Sequence, residues 1–303
     1  MCITGLTACG KTELAIRLAE EFPLEVISMD SAMVYRGMDI GTAKPSRELR
    51  EQVLHHLIDI VEPTETYSAG RFASDARDAL AGIYARDRIP LLVGGTLLYL
   101  RSFRDGLAEL PAADPDVRQR LDAEAEVVGW GALHERLRLL DPGAAERISP
   151  TDRQRVQRAL EVYELTGQAL SSLQTQRTVA PGIPVRAFAL LPQDRAELGA
   201  RIEQRFDAMV AAGFVEEVKA LRDRGDLRAT TPAMRALGYR QVWSYLGGDC
   251  DWEEAREKAV IATRRLAKRQ MTWLRSDADI EFLPAQSDEA ATAVARELEA
   301  VMG

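Results

Sequence analysis

Cysteine and histidine are scarce in this chain. Three of each occur in 303 residues, and their positions exclude more than their number does. Cys2, Cys9 and Cys250 are isolated, which suits a reducing cytosol and predicts a cytoplasmic protein without a disulfide framework. No Cys or His spacing of the kind zinc needs is present. The pair His55-His56 reads as a surface or core pair and not as a ligand set. No run approaches the ~20 apolar residues of a membrane span, and no basic-then-apolar leader opens the chain, so no membrane association is expected. A net positive charge is also lacking. At −8 the protein is a poor candidate for broad, non-specific nucleic-acid binding, although screening over ~10 Å leaves room for a local basic groove. Internal repeats and low-complexity segments are absent. At 46% hydrophobic and 28% charged residues, the remainder is ordinary globular composition.

What is present begins almost at the first residue. Gly5-Leu6-Thr7-Ala8-Cys9-Gly10-Lys11-Thr12 fits G-x-x-x-x-G-K-[ST], the phosphate-binding loop. The glycines let successive backbone N–H groups surround phosphate oxygens. Lys11 supplies a point charge, Thr12 offers a hydroxyl to Mg²⁺, and the following helix directs its N-terminus at the anion. Met1, Cys2 and Ile3 form a short apolar strand end before the loop. Leu14, Ala15, Leu18 and Ala19 repeat at helical spacing after it. The loop specifies a polyphosphate without specifying ATP.

Residues 1–110 alternate between strand and helix patterns. The segment Leu24 to Met29 reads as a strand ending at Asp30, and Phe72 to Tyr84 as a helix. The segment from Pro90 is a buried strand stopped by Gly94-Gly95-Thr96, with a helix from Leu97. Such alternation implies a parallel sheet with helices on both faces and ligands at the carboxyl ends of the strands. Lys11, Asp30 and Thr96 all fall at such ends. From Pro111 the pattern turns helical: Asp114-Pro115 opens a stretch to Leu140, Asp141-Pro142-Gly143 breaks it, and Thr151 or Asp152 caps a helix to about Thr166. The next strand signal is Val185 to Leu191, with 168–184 as the return. A long amphipathic helix carries Leu198, Ile202, Phe206, Met209 and Val210 on one stripe, with Arg201 and Arg205 one turn apart beside it. Glu253 to about Leu274 is the last strong helix, and the acidic tail after Ser276 reads as a terminal packing helix. The expected organisation is therefore an α/β core in two segments, 1–110 and 184–303, interrupted by an all-helical insertion, 111–183.

Two further constellations carry chemistry, each with a bland alternative. Asp30 could hold Mg²⁺ or act as a general base, or Asp30-Ser31 could simply be a helix N-cap. Residues 264–275 hold five basic groups and no acid, with Trp273 among them. That is either a solvated helix face or a nucleic-acid contact in which cations meet phosphates and a flat ring stacks on a base. Arg153, Arg155 and Arg158 form a smaller basic patch. The loop from Tyr35 to Pro45 is punctuated by glycines and rich in specific residue types, as ligand-touching loops are.

Taken in order, these segments resemble the tRNA dimethylallyltransferases. The resemblance is carried by Gly5 to Thr12, Asp30-Ser31 with Tyr35 and Gly41-Thr42-Ala43-Lys44-Pro45, and Gly94-Gly95-Thr96. It continues through Asp152 to Glu161, Leu237-Gly238-Tyr239-Arg240-Gln241, Ala267-Lys268-Arg269-Gln270 and Thr272-Trp273-Leu274-Arg275. It runs through nearly the whole chain. It implies a P-loop NTPase-like fold and transfer of a dimethylallyl group from its diphosphate to N6 of the adenosine 3′-adjacent to the anticodon (position 37). The acceptors would be tRNAs reading codons that begin with U, with Mg²⁺ required and diphosphate released. By the same resemblance Asp30 is the general base and Thr96 positions the reacting groups. Gly5, Leu6, Thr7, Ala8, Cys9, Gly10, Lys11 and Thr12 bind the diphosphate with support from Arg205. Asp30, Ser31, Ala32, Met33, Gln154, Arg155, Val156, Gln157, Arg158, Arg240, Lys268, Arg269, Gln270, Thr272, Trp273 and Arg275 face tRNA. The insertion grips the anticodon stem-loop, and the enzyme is a monomer. Two departures stand out. Leu6 replaces a usual proline, and only four residues precede Gly5, so the first strand is expected to be short and the start truncated or misassigned. No Cys/His module closes the chain. A small-metabolite kinase shares the loop, and a free-adenylate prenyltransferase shares the donor chemistry. Neither accounts for an insertion of ~70 residues or the basic helix.

Overall fold

The computed structural model describes residues 1–106, 108, 110–175 and 183–302. Six strands form one parallel sheet in the order β3-β2-β4-β1-β5-β6. They are β1 (Cys2–Gly5), β2 (Leu24–Ser28), β3 (His55–His56), β4 (Ile89–Val93), β5 (Ala187–Leu191) and β6 (Ile280–Pro284). The four inner strands are buried along nearly their whole length, because helices cover both faces of a parallel sheet. Register is continuous across the centre: Ile3 lies beside Val93 on one flank and Phe188 on the other.

The helices of the core are α1 (Lys11–Glu21), α2 (Arg47–Gln52), α3 (Ala69–Tyr84) and α4 (Leu97–Asp105), then, after the insertion, α9 (Arg195–Ala211), α10 (Phe214–Asp223), α11 (Tyr239–Gly247), α12 (Trp252–Arg275) and α13 (Asp288–Met302). Side-chain caps define several starts: Ser68 accepts from Arg71 N, Asp194 from Ala196 N and Asp251 from Glu254 N. Phe72 of α3 stacks on Tyr99 of α4 with centroids 4.3 Å apart, and both rings are buried.

The chain separates into two compact units, Met1–Arg104 with Ile183–Gly303, and Asp105–Gly182. The second unit contains α5 (Pro115–Leu140), α6 (Pro142–Arg147), α7 (Arg153–Thr166) and α8 (Leu170–Thr175). Its own core is built from Val117, Leu121, Leu133, Leu137, Val156 and Leu160. Glu161, fully buried there, accepts from the Arg118 fork at 2.8 and 3.1 Å, from Arg158 at 2.6 Å and from Asp114 N at 2.9 Å. A buried carboxylate so completely partnered fixes the crossing of α5 and α7.

Four features differ from the sequence-based expectation. The tail after Ser276 is not helix alone: Ile280–Pro284 pairs with β5 as an edge strand before α13 begins. Its outward residues Glu281 and Phe282 are exposed, so the apolar run that marks an inner strand is missing. His55-His56 is the opposite edge strand, and His56 Nε2 meets buried Glu25 at 2.7 Å. The stretch from Asp114 to Leu140 is kinked at Gly129, which adopts φ 82° inside the helix. Asp141-Pro142-Gly143 begins a helix as well as ending one, because the Asp141 carboxylate caps Ala144 N. The return segment falls partly outside the described residues.

Candidate active site

Three loops leave the carboxyl ends of neighbouring strands β2, β4 and β1, where a parallel sheet presents ligand sites. The phosphate loop follows β1. Gly5 is required at its entrance: φ is 130°, and a Cβ would overlap the backbone of Leu190 on β5. Ala8 (φ 62°) and Gly10 (φ 76°) turn the chain through left-handed geometry, which gathers backbone N–H groups into an anion-accepting concavity. Gly10 caps α1 without a side-chain acceptor, so the first-turn donors remain available. Leu6 and Cys9 point into the core, 3% and 0% exposed. Leu6 therefore replaces proline without facing a ligand, and burial raises the Cys9 thiol above its ordinary value.

Lys11 folds back over its own loop and donates to Leu6 O at 2.7 Å and Gly5 O at 3.2 Å. Burial, opposed by the nearby carboxylate of Asp30 and reinforced by the charge of Arg205, brings its ammonium down to about 8. Arg205, on α9, is lowered by burial and raised by Asp30. Lys11, Asp30 and Arg205 thus form one electrostatic cluster. Thr12 lies half-buried in the first turn of α1.

Asp30 stands two residues beyond β2. Its Oδ1 accepts from Ala32 N at 2.8 Å and Met33 N at 3.3 Å, closing a turn. The helix N-cap considered for Asp30 is not what the structure shows: no helix follows it, and the carboxylate instead closes a turn through one oxygen, which leaves Oδ2 to other chemistry. Thr96 closes the same rim: its Oγ1 accepts from Ser31 N at 3.1 Å and donates to Ser31 Oγ at 3.4 Å, while Thr96 N donates to Met29 O at 3.2 Å. Gly94 is needed for that approach, since a Cβ would overlap Met29 backbone.

Two residues that join these loops are not identifiable in that role from sequence. Gln270, on α12, is 6% exposed. Its Oε1 accepts from Thr7 N at 3.0 Å, and its Nε2 donates to Gly95 O at 2.9 Å. It therefore spans the phosphate loop and the diglycine turn, and its amide points into the protein. Glu217, on α10, accepts from the backbone N–H groups of Asp39, Ile40 and Gly41 at 2.9, 2.7 and 3.2 Å and from the Tyr239 hydroxyl at 2.5 Å. Burial, followed by the Glu217 charge, drives the Tyr239 phenol well above its ordinary value. Lys44 completes the loop from beneath, meeting Asp59 at 2.6 Å and Asp39 at 2.5 Å with its side chain only 1% exposed. These ties span long sequence separations, and no local pattern announces them.

The basic helix face is real and open. Arg265, Lys268, Arg269, Thr272, Trp273 and Arg275 are exposed on α12, opposite buried Ala267, Gln270 and Leu274. Arg264 instead pairs with Glu203. Among the described residues none offers an ion pair to Lys268, Arg269 or Arg275, and Arg240 is exposed on α11. In the insertion, Gln154 and Arg155 are exposed, with Arg155 paired to Asp152 at 3.3 Å. Val156 is fully buried in that unit's core, which leaves its side chain no surface to offer. Gln157 bonds Asp122 at 2.7 Å, and Arg158 is held by Glu161 and Pro111 O.

The family model described as IPP transferase matches residues 33–277. A tRNA dimethylallyltransferase of Alkalilimnicola ehrlichii is 56% identical over 275 residues, 91% of this chain and 87% of that protein. The chain belongs to the IPP transferase family. A similar enzyme from Ralstonia pickettii is 53% identical, with 91% and 87% covered. The crystal structure of a tRNA isopentenylpyrophosphate transferase from Bacillus halodurans superposes with TM-score 0.70 at 37% identity, covering 99% of this chain and 95% of that one. A eukaryotic dimethylallyltransferase seen acting on tRNA gives TM-score 0.81 at 26% identity, with 99% and 79% covered. The P-loop-like parallel fold inferred from the alternating pattern is shared with these structures. No helix among the described residues is long and apolar enough to cross a membrane.

Proposed function

We propose that this chain transfers a dimethylallyl group from dimethylallyl diphosphate to N6 of the adenosine 3′-adjacent to the anticodon, in tRNAs reading codons that begin with U, and releases diphosphate. The observation that carries the reading is the joint placement of Lys11, Arg205 and Asp30 in one charge cluster, on the rim where Thr96 meets Ser31. The names and activities of the family's members support it, as does the open cationic face of α12. On this reading the enzyme works in the cytoplasm as a monomer, and the insertion grips the anticodon stem-loop.

Each group has a distinct job. An adenine amine is a weak nucleophile, so the reaction depends on stabilising the leaving group. Lys11 and the uncapped N–H groups of α1 hold the diphosphate, and Arg205 adds charge where it develops on the departing oxygen. Asp30 takes the N6 proton through Oδ2 while Oδ1 remains fixed by its turn, and Thr96 holds the Asp30-Ser31 backbone in place. Exposed Trp273 and the cations beside it suit an unstacked loop nucleotide and its phosphates.

No group of three or more acidic, His or Cys ligands that could hold a metal occurs among the described residues. Mg²⁺ is bound chiefly by substrate phosphates and water with one or two protein oxygens, and the half-buried Thr12 in the first turn of α1 offers such an oxygen. Thr12 would hold it, and it would neutralise diphosphate charge.

The test is incubation with Mg²⁺, labelled dimethylallyl diphosphate and either unmodified tRNA or AMP. Label is expected in tRNA. Label in AMP alone, or phosphoryl transfer from ATP instead, would refute the reading. In Asp30→Ala, transfer should fall by about two to four orders of magnitude while tRNA still binds. Loss of binding with normal chemistry at saturating tRNA would contradict the assignment.

A further inference from the structure

Arg205 is one of two arginines that α9 carries on one side, the other standing a turn earlier at Arg201. Their surroundings differ in a telling way. Arg201 Nη2 donates to Glu197 Oε1 at 2.6 Å, one turn back on the same helix. Arg201 Nη1 is buried from solvent and has no acceptor at all. A surface i,i+4 pair would leave that nitrogen in water. Here it is dry and unpaired, a condition that is costly for a charged donor. Such a donor is retained where its acceptor arrives with a ligand. Arg201 also stands near enough to the phosphate loop for its charge to act on Cys9, a residue of that loop.

We propose that Arg201 is a second guanidinium for the diphosphate, with its buried Nη1 donating to a phosphate oxygen while Glu197 holds Nη2. Arg205 and Arg201 then flank the anion from one helix. Lys11 and the loop N–H groups approach from the other side. In the transfer step the donor's C1–O bond breaks and its electron pair leaves on the diphosphate oxygen. The N6–C1 bond forms, and the N6 proton passes to Asp30. Negative charge grows only on the diphosphate, so a fork aimed there lowers the barrier and retains the product. Arginine suits the place because its planar fork can keep Glu197 and a phosphate oxygen at once, which an ammonium does less well.

This rests on the reading of the loop as a diphosphate cradle, and one experiment separates the two. Binding of inorganic diphosphate with Mg²⁺ is measured by calorimetry on wild type, Arg201→Gln and Arg201→Lys, alongside KM for dimethylallyl diphosphate and for tRNA. Wild type should bind diphosphate. Arg201→Gln should bind it about tenfold or more weakly, with KM for the donor rising in step and KM for tRNA unchanged, and Arg201→Lys should fall between. If wild type binds no diphosphate, the cradle reading fails and this proposal with it. If wild type binds and both variants stay within about twofold, Arg201 is a structural ion-pair residue and the proposal is overturned. Should Arg201→Gln not fold, Arg201→Lys alone decides by the same comparison.

Discussion

Single residues at this site do two things at once, and a sequence shows the residue without showing how it divides them. Asp30 both closes a turn and faces the charge cluster. A sequence can show the carboxylate at a strand end but not how its two oxygens divide. The phosphate loop was legible residue by residue because every position follows from backbone geometry. The tie from Gln270 to Thr7 was not, since 263 residues separate them. Lys11 yields a pH prediction. Its ordinary value of 10.5 falls to about 8 in the free protein, whereas a bound dianion or trianion favours the ammonium. Below pH 8 the lysine is already charged and binding takes up no proton. Above it, binding must recharge Lys11, and affinity for inorganic diphosphate should fall by up to about tenfold per pH unit. Titrations from pH 7 to 9.5 check this, and a flat profile would remove Lys11 as a source of the dependence.

Elements explain why some of the fold was readable and some was not. The buried strands β4 and β5 announce themselves as apolar runs of five residues, and β2 as a strand-like run interrupted by Glu25. The edge strands are short or half-exposed, and β3 has two residues only. Helix α8 has six residues and one buried side chain, too little for periodicity. The loop from Tyr35 to Pro45 stands out in the sequence by its glycines and specific residue types, but its anchor does not. It is held from α10 by one carboxylate, Glu217, that satisfies three consecutive N–H groups and Tyr239. Gly41 is pressed so close beneath it that a Cβ would overlap Phe214 and Tyr239. Glu217→Gln replaces one acceptor with a donor facing donors, and should cost about 1–3 kcal/mol in urea unfolding. Because that carboxylate ties the loop to α10 and to Tyr239 at the start of α11, kcat for transfer should fall while inorganic diphosphate binding stays near wild type. Equal loss of both would mean that Glu217 supports the core generally and not this loop.

At the scale of the molecule, charge is segregated. A chain of net charge −8 carries an uncompensated cationic face on α12, with Lys268, Arg269 and Arg275 free of partners among the described residues. Reversing Lys268 and Arg269 to Glu should weaken tRNA binding and reduce the slope of log affinity against log salt by roughly 0.7–0.9 for each phosphate no longer neutralised. Diphosphate binding should be unaffected. An unchanged slope would take α12 out of the interface. Strand signals in the sequence cease after the diglycine turn and resume only at Val185, and the described elements between β4 and β5 are all helices.

The central strand has a consequence for how the protein is made. β1 ends at Gly5, yet one of its two neighbours, β5, lies beyond residue 186. At about 5–20 residues per second, a ribosome takes roughly 10 to 35 seconds to deliver that neighbour. Until then β1 presents a bare apolar edge of the kind that recruits other chains. The interval is filled in part by synthesis of the insertion, whose separate core can fold from local contacts. The phosphate loop, translated long before β5, is therefore among the last parts of the enzyme to acquire its shape.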